Sequence, residues 1–423
     1  MSTHDLHQGE NMPHLLIRHS CALLTALVLI ASTSAGDWRR FHGPNGTGTS
    51  SDKIPTKWTA KNILWKKEIP GVGKSSPIVV DGKVYLQSSS KDGSSRTVYC
   101  FDVNDGSVKW QKSIPGRKAH THRLNTLASS TGASDGKNVY FAIWDGQGVA
   151  IHAWDLNGKE LWKTPLGRFK SQHGPGGSPA VYDGIIYYAF DMDGKSTLYA
   201  LDVEKGTIKW SKPRKAFRAS YSTPFLRPTK GGGNELIILS TAGFSAYEPK
   251  SGKLIWDYTW DQEGVVLRTV GCAAYTDGIV VGSSGNGGGS RRVIAVKAGG
   301  SGDITQSGLA WKAKKSFPYV PSMIAKDGYF YAVHDKGIAY CFRARDGKEM
   351  WKQRLGGNVS SSPVMSGDTI FAPAENGDVY VFKASPKFQM VTTNNLQASF
   401  SASPAIGSNR LFLRSRDSLI CIG

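Results

Sequence analysis

The chain has 423 residues, of which 39% are hydrophobic and 10% aromatic, and its formal charge at pH 7 is +19. This composition is sufficient for a large buried core in a single domain. The positive charge favours anionic partners such as acidic polysaccharide. No basic run is interleaved with base-stacking aromatic residues, and we therefore expect no nucleic-acid binding.

The N-terminus predicts export. An apolar run over residues 21–31 is too short to span a bilayer comfortably and is followed by small residues. We predict a signal peptide over residues 1–36, cleaved near Ala35 or Gly36, and a periplasmic or secreted mature form without a transmembrane span. Cys21 precedes the apolar run, whereas a lipoprotein cysteine follows it, so we expect no lipid anchor. Removal of residues 1–36 takes away one arginine and two carboxylates and changes the formal charge to +20.

After an extended segment over residues 37–59, a unit of four short strands repeats to the end of the chain. Its clearest copy contains Pro77-Ile78-Val79-Val80, Asp81-Gly82, Val84-Tyr85-Leu86, Val98-Tyr99-Cys100-Phe101-Asp102, Asp105-Gly106 and Val108-Lys109-Trp110. An Asp-Gly pair between apolar runs predicts a type I′ hairpin turn. The first turn recurs at Asp135-Gly136, Asp183-Gly184, Asp277-Gly278 and Asp327-Gly328, and in reversed order at Gly367-Asp368.

Tryptophans close most of these units at intervals of about 40–55 residues, a period typical of β-propellers. They are Trp65, Trp110, Trp162, Trp210, Trp256, Trp311 and Trp351. The residues that open the first strand of each unit give an independent count of eight: Pro77, Thr131, Pro179, Pro224, Ala273, Pro321, Pro363 and Pro404.

Both counts predict an all-β fold, an eight-bladed propeller of four-stranded antiparallel blades over residues 60–423. The last unit lacks a fourth strand, and the segment 63–66 is a fourth strand without a preceding three. We predict that this N-terminal strand completes the last blade and closes the ring, which removes the open sheet edges.

Polar residues on the loops that enter the inner strands are the candidate ligand-binding residues. In a propeller these loops converge on one mouth of the central channel. The candidates are Lys74, His122, Asn125, His173, Arg218, Tyr221, Arg268, Tyr319 and Asn358. Arg218 and Arg268 suit a carboxylate or phosphate group. The alternative is that these side chains make hydrogen bonds between blades or bind water.

Other motifs do not predict a metal site or a nucleophile. His120 and His122 are spaced for one side of a strand, but no third ligand is identifiable, and the Asp191-x-Asp193-Gly194 sequence lacks the terminal glutamate of a calcium loop. The serines that precede the strand-opening prolines have no recurrent His/Asp pair, and we expect them to satisfy backbone groups near the channel. We therefore expect no catalytic residue and no metal ligand.

The four cysteines that follow the predicted signal peptide are interpreted as free. Cys100, Cys341 and Cys421 occupy the same third-strand position in different units, so their Cα atoms are too far apart for a bond, and we predict small buried thiols.

The repeat resembles that of pyrroloquinoline quinone (PQQ) dehydrogenases and PQQ-like propeller proteins over residues 60–423. The segment that carries this likeness is Tyr199-Ala200-Leu201-Asp202-Val203-Glu204-Lys205-Gly206-Thr207-Ile208-Lys209-Trp210. The opening Trp38-Arg39-Arg40-Phe41-His42-Gly43-Pro44-Asn45-Gly46-Thr47-Gly48 resembles that of secreted PQQ-like propellers of planctomycete-type bacteria. The resemblance implies a fold and an exported location. It is distant both to the quinoprotein dehydrogenases and to the outer-membrane assembly scaffold with the same repeat.

The resemblance to dehydrogenases implies a PQQ site with calcium, which the sequence motifs do not support. Those enzymes commonly cap the quinone with adjacent cysteines and bind calcium through carboxylates and an amide, and this chain has no Cys-Cys pair. We therefore expect no cofactor and a monomeric, non-catalytic binding or scaffolding module for a protein partner in the cell envelope. The alternatives are a PQQ-dependent or other oxidoreductase acting on alcohols or sugars, and a binder of anionic polysaccharide.

Overall fold

The structure is a computed structural model that describes residues 36–260, 266–314 and 317–423. The predicted signal peptide, including Cys21, lies outside this part of the chain except for Gly36. All described residues belong to one compact unit. Among them the regular structure is β, apart from two short 3₁₀ turns at Pro44–Gly46 and Ala60–Asn62. No helix in the described ranges is long and apolar enough to cross a membrane.

The strands form eight antiparallel blades, as predicted, and each blade extends outward from the channel. From its inner to its outer strand, blade 1 is Ile78–Val80, Lys83–Ser89, Ser95–Asp102 and Val108–Pro115, and blade 2 is Ala133–Ser134, Asn138–Trp144, Gly148–Asp155 and Glu160–Arg168. Blade 3 is Ala180–Tyr182, Ile185–Phe190, Ser196–Asp202 and Ile208–Arg214, and blade 4 is Phe225–Pro228, Asn234–Ser240, Gly243–Tyr247 and Leu254–Thr259. Blade 5 is Ala274–Thr276, Ile279–Gly285, Arg291–Lys297 and Leu309–Ala313, and blade 6 is Ile324–Lys326, Tyr329–His334, Ile338–Arg343 and Glu349–Arg354. Blade 7 is Val364–Ser366, Thr369–Pro373, Asp378–Lys383 and Met390–Asn395, and blade 8 is Ala405–Gly407, Arg410–Arg414, Ser418–Ile422 and Ile63–Glu68.

The N-terminal strand closes the ring. Ile63–Glu68 pairs antiparallel with Ser418–Ile422, the last strand of the chain, and Trp65 lies opposite Cys421. Two blades carry a fifth short strand that the repeat did not predict. Thr49–Ser50 pairs parallel with the inner strand of blade 7, and Gly302–Asp303 pairs parallel with the outer strand of blade 4.

The closing tryptophans join neighbouring blades. Six of the seven donate a hydrogen bond of 2.7–3.1 Å from the indole Nε1 to a backbone carbonyl of the next blade: Trp65, Trp110, Trp162, Trp210, Trp311 and Trp351. Each of the first five indoles also packs on the turn glycine of that blade, and a methyl group added at Gly206 would lie 2.4 Å from Trp162. The exception is Trp256, whose Nε1 donates to Glu235 within its own blade.

Four of the five Asp-Gly turns have the predicted backbone. Asp81, Asp183, Asp277 and Asp327 all have φ between 46° and 49°, and the glycine after each also has positive φ. The prediction was wrong for Asp135-Gly136, where only the glycine has positive φ. There the Asp135 carboxylate accepts hydrogen bonds from the backbone N–H groups of Lys137 and Asn138, which gives a longer loop with an aspartate cap.

The four cysteines in the described ranges, Cys100, Cys272, Cys341 and Cys421, are free and buried, as predicted. Burial raises the pKa of the Cys100, Cys341 and Cys421 thiols to about 12.

Residues 36–59 cross one face of the propeller and contact its inner strands. Trp38 exchanges two backbone hydrogen bonds with Val79 of blade 1, and it is fully buried. The Arg40 guanidinium donates to Tyr182 and to the backbone of Pro224, in blades 3 and 4, and the His42 ring contacts the Pro363 carbonyl of blade 7. A single segment thus contacts blades on opposite sides of the channel.

The glycines of the Gly-Pro-x-Gly-x-Gly opening are required by these contacts. Gly43 and Gly48 both have positive φ, and a methyl group at either would lie within 2.6 Å of the Trp38 or His42 ring.

Candidate functional site

The channel wall contains one small polar residue from each blade, placed two residues before the inner strand. We call these eight residues the axial ring: Ser76, Thr131, Ser178, Thr223, Cys272, Ser322, Ser362 and Ser403. In seven of the eight steps around the ring, the backbone N–H of one member donates to the side-chain oxygen or sulfur of the member in the next blade, at 2.9–3.2 Å. The last of these bonds runs from Ser403 to Ser76 and joins blade 8 to blade 1.

The position of the axial ring shows that two predicted strand openers were wrong and that the prediction for the serines was correct. The serines do satisfy backbone groups near the channel, as predicted. The strand opener is the residue directly after the ring residue. It is Gly132 in blade 2, where Thr131 was predicted, and Met323 in blade 6, where Pro321 was predicted. Proline directly follows the ring residue in most blades, but in blade 6 it precedes the ring residue. The count of eight blades is unaffected.

A pocket of about 260 Å³ lies on the channel axis and is lined by residues of all eight blades. Its upper layer consists of the residues two positions before the axial ring: Lys74, Ser129, Gly176, Tyr221, Val270, Val320, Ser360 and Ser401. Phe41, from the N-terminal segment, also lines the pocket. Because that segment crosses the opposite face, Phe41 forms the floor, and the pocket opens at the mouth built by the loops.

Two histidines stack at the mouth. The rings of His122 and His173 have centroids 4.4 Å apart and planes 23° apart. Burial lowers the pKa of His173 to about 4, and the neighbouring Arg268 acts in the same direction. Burial, followed by the nearby Arg123 and Arg268 charges, also lowers the pKa of His122. Both rings are therefore neutral at pH 7. The His173 Nδ1 is buried and has no hydrogen-bond partner.

Two cations lie beside these rings. Arg268 is 4% exposed; its Nη2 donates to Gln172 Oε1 at 2.8 Å, and its Nη1 is buried without a partner. Burial lowers the pKa of Lys74, and the Glu375 carboxylate acts in the opposite direction. Glu375 itself accepts a hydrogen bond from the Ser360 hydroxyl. We call Lys74, His122, His173 and Arg268 the rim.

The structure brings most of the predicted residues together. Six line the pocket: Lys74, His122, Asn125, His173, Tyr221 and Tyr319. Arg218 and Arg268 are not among the lining residues, but both donate to Gln172 Oε1, at 3.3 and 2.8 Å. Asn358 is exposed and does not line the pocket; its backbone carbonyl accepts from the Glu375 N–H.

Two of the lining residues make hydrogen bonds between the loops of different blades, which is the predicted alternative to ligand binding. Asn125 Nδ2 donates to the carbonyls of His173 and Pro175, which ties the loop of blade 2 to that of blade 3. The Tyr221 hydroxyl donates to the Gly174 carbonyl at 3.1 Å. Ligand binding at this mouth remains a prediction.

Sequence reasoning missed Phe41 and the axial ring as parts of the site. A signal for the ring was present, because a serine or threonine directly precedes five of the strand-opening prolines, at Ser76, Ser178, Thr223, Ser362 and Ser403. No local signal marks Phe41, since its position depends on the path of a segment that belongs to no blade.

The donor set suits an anion but does not suit a quinone with its cation. The lining supplies an ammonium, imidazoles and hydroxyls, and its floor is aromatic, whereas it contains no carboxylate. A divalent cation that bridges an o-quinone needs carboxylate or amide oxygens, and the oxygen of the one amide in the lining, Asn125 Oδ1, already accepts a hydrogen bond from the Ser129 hydroxyl at 2.5 Å. In the described part of the chain no group of three or more His, Cys, Asp or Glu side chains is placed to hold a metal ion.

Comparisons with known proteins agree with this fold. A curated relative, the 1-butanol dehydrogenase (cytochrome c) of Thauera butanivorans, is 28% identical over 155 residues, which is 34% of this chain and 21% of the relative. The match thus spans about a fifth of that enzyme. BamB from Moraxella catarrhalis superposes with a TM-score of 0.61 at 14% identity, covering 85% of this chain and 96% of BamB. The quinohemoprotein alcohol dehydrogenase from Comamonas testosteroni gives a TM-score of 0.64 at 13% identity, covering 91% and 80%. These structural likenesses concern the fold alone.

A family model for PQQ-like repeats, described as outer membrane protein assembly factor BamB, matches residues 56–168, 147–307 and 292–416. These ranges include strands of every blade. The chain therefore belongs to this BamB-type family of PQQ-like β-propellers.

Proposed function

We propose that the protein is an exported, non-catalytic binding module that engages a protein partner in the cell envelope through an anionic group docked at the channel mouth. The observation that carries this proposal is the rim. It places a buried guanidinium, a half-buried ammonium and two imidazoles around a pocket whose lining has no carboxylate.

The unpartnered atoms at the rim support an anionic ligand. A buried guanidinium N–H without an acceptor is costly, because the desolvation of a charged donor is not repaid by a hydrogen bond. An anion beside His173 would offset this cost through its charge, because Arg268 itself does not line the pocket. The pocket volume of about 260 Å³ admits one side chain or chain end rather than a folded element. The rest of a partner would then lie on the loops around the mouth.

Calorimetric titration of the purified protein with paired peptides tests this function. One peptide carries aspartate and glutamate, and the other carries asparagine and glutamine at the same positions. We expect binding of the acidic peptide only, weakened about tenfold in Arg268→Gln, because loss of a nearby buried charge removes on the order of 1.4 kcal/mol of Coulomb attraction. Lys209→Gln removes an equal charge from the outer strand of blade 3 and should bind as the wild type does. Equal affinity for both peptides would contradict the proposal.

An oxidoreductase is the second candidate, favoured by the 155-residue match to the 1-butanol dehydrogenase. It is tested by titration with PQQ, with and without Ca²⁺, followed by dye-reduction assays on alcohols and sugars. We expect no calcium-dependent binding, because the lining has no carboxylate to hold the cation. Tight calcium-dependent binding with turnover would replace the non-catalytic function.

The third candidate is an anionic polysaccharide binder, which the charge of +20 favours. An oligosaccharide of uronic acids in the same titration tests it. If the oligosaccharide binds more strongly than an acidic peptide of equal charge, and if Arg268→Gln does not change its affinity, the binding site lies on the outer surface and not at the mouth.

A further inference from the structure

Six hydroxyl protons of the axial ring have no acceptor among the residues that the structure describes. Six hydroxyl oxygens accept a backbone N–H from the preceding blade: Ser76, Thr131, Ser178, Ser322, Ser362 and Ser403. Within the described part of the chain, none of these six hydroxyls donates to a protein atom. A hydroxyl has one proton and two lone pairs, so an oxygen that accepts still has a proton to donate.

Most of these hydroxyl groups face the axial pocket. All six side chains are at least nine-tenths buried, and all except Ser322 line the axial pocket. The inter-blade N–H bonds hold each oxygen against the wall, so the remaining hydrogen-bonding capacity of the five lining hydroxyls is oriented toward the lumen. The ring therefore presents several donors to the lumen of one small pocket, which is the arrangement that an acceptor-rich group requires.

Independent observations at the rim indicate the same ligand chemistry. Arg268 is buried and its Nη1 has no acceptor, and the buried His173 Nδ1 has no partner. Lys74 lies in the layer directly above the ring. A ligand that passes the rim thus meets positive charge first and then hydroxyl donors, and Phe41 limits how far it enters.

We propose that a compact oxyanion, the carboxylate or phosphate end of a ligand, enters the channel end-on and is held on the axis by the hydroxyls of the axial ring above Phe41. This inference rests on the proposed function, because the same mouth admits the ligand. It adds that the ligand is recognised by a terminal anionic group, and that the ring rather than the rim alone sets the affinity.

Blade 5 provides a natural control for the ring. Cys272 occupies the ring position there, and its sulfur accepts the Thr223 N–H at 3.2 Å, so a thiol is compatible with this inter-blade bond. A thiol is, however, a weak hydrogen-bond donor. Ser362→Cys therefore keeps an acceptor for the neighbouring N–H and loses a strong donor to the lumen. Ser403→Cys makes the same change in blade 8, at another ring position that lines the pocket.

The test uses inorganic phosphate, acetate and a peptide with a free or an amidated C-terminus, titrated calorimetrically into the full protein. We expect Ser362→Cys and Ser403→Cys each to weaken binding about tenfold, as hydrogen bonds to a charged group predict. Ser113→Ala, which removes an exposed hydroxyl from the outer strand of blade 1, is the matched control. Tighter binding of phosphate than of acetate identifies a phosphate end, and preference for the free C-terminus identifies a carboxylate.

The outcomes separate this inference from the proposed function. Loss of binding in Arg268→Gln, with both ring variants unchanged, would leave the rim as the binding site and overturn the axial site. Diffraction from crystals soaked in selenate gives a second readout: anomalous density on the axis between the ring and Phe41 supports the site, and density only at the rim contradicts it.

Discussion

Single residues determine how the blades fit together. In blade 3 the turn glycine between the third and fourth strands lies under the tryptophan of the preceding blade, whereas the glycine of the first turn is open to solvent. In blade 3 these are Gly206 and Gly184, with φ of 67° and 73°. A methyl group at Gly206 would lie 2.4 Å from Trp162, and one at Gly184 would meet nothing within 4 Å. The two positions share a backbone conformation and differ only in packing.

This difference gives a prediction about stability. Both Gly184→Ala and Gly206→Ala should lose about 1–2 kcal/mol of unfolding free energy, because alanine disfavours positive φ. Gly206→Ala should lose a further amount of about 1–3 kcal/mol, because the Trp162 indole must move and its bond to the Val203 carbonyl is strained. Urea unfolding measures both values. Equal losses would show that the indole does not constrain this turn.

A buried histidine should make stability depend on pH. His152 is 4% exposed and stacks on Trp154 at 5.4 Å, and its Nδ1 has no partner. Burial, with a smaller effect of Lys163, lowers the pKa of His152 from 6.5 to about 4. Between pH 6.5 and 4 the unfolded chain binds this proton more readily than the folded protein does. The contribution to stability is therefore complete above pH 6.5 and falls as the pH decreases toward 4.

Replacement by the residue that other blades use should remove this dependence. Tyr99 and Tyr199 occupy the position of His152 in blades 1 and 3, next to the residue opposite the tryptophan. We expect His152→Tyr to reduce the slope of unfolding free energy against pH between 6.5 and 4, measured by urea unfolding at several pH values. His120→Tyr, at an exposed position, should retain the wild-type slope. A slope unchanged in His152→Tyr would place the titration elsewhere.

At the scale of elements, two segments outside the repeat complete the structure. Ile63–Glu68 supplies the outer strand of blade 8, and residues 36–59 close one face of the channel. The repeat alone predicted the role of the N-terminal strand, because the last unit lacked a fourth strand and the segment 63–66 was a fourth strand without a preceding three. The repeat did not predict that residues 36–59 close the channel, because the contacts of Trp38, Arg40 and His42 involve blades far apart in sequence.

Deletion of residues 60–68 should unfold or aggregate the protein. The deletion removes the pairing with Ser418–Ile422 and the Trp65 bond to Val103, so blade 8 loses its outer strand and part of its contact with blade 1, and a strand edge is exposed. Thermal melting and size-exclusion chromatography measure the effect. Leu64→Ser, at an exposed position of the same strand, is the control and should melt near the wild type. A melting temperature unchanged by the deletion would refute closure by this strand.

At the scale of the whole molecule, positive charge is distributed over the surface and also occurs inside. Many lysines lie in exposed turns and outer strands, such as Lys159, Lys205 and Lys253, and are solvated there. Arg268, in contrast, is buried at the mouth. Surface charge gives general attraction to polyanions that salt screens, whereas a buried cation gives selectivity.

An experiment should separate the effect of the exposed surface charge from that of the buried Arg268. We expect the protein to bind a heparin-type resin at low salt and to elute at moderate salt, because exposed charges are screened. Arg268→Gln should elute at nearly the wild-type salt concentration and still lose the acidic peptide. A large shift of its elution would mean that the mouth, not the surface, contacts the resin.

The sequence alone determined the architecture, because hairpin turns and closing tryptophans are local signals that recur with the blade. It therefore predicted eight blades, the closing strand, the free buried cysteines and six of the residues that line the pocket. The register of blade 6 failed because Pro321 precedes the ring residue there, and that of blade 2 failed because no proline marks the opener.

Only the tertiary structure decided what the channel contains. The axial ring arises from bonds between blades, the floor from a segment outside the repeat, and the rim from loops of separate blades. These contacts join residues that are distant in the chain, so no local spacing encodes them. The hydroxyl protons that remain without an acceptor become visible only once the ring has closed.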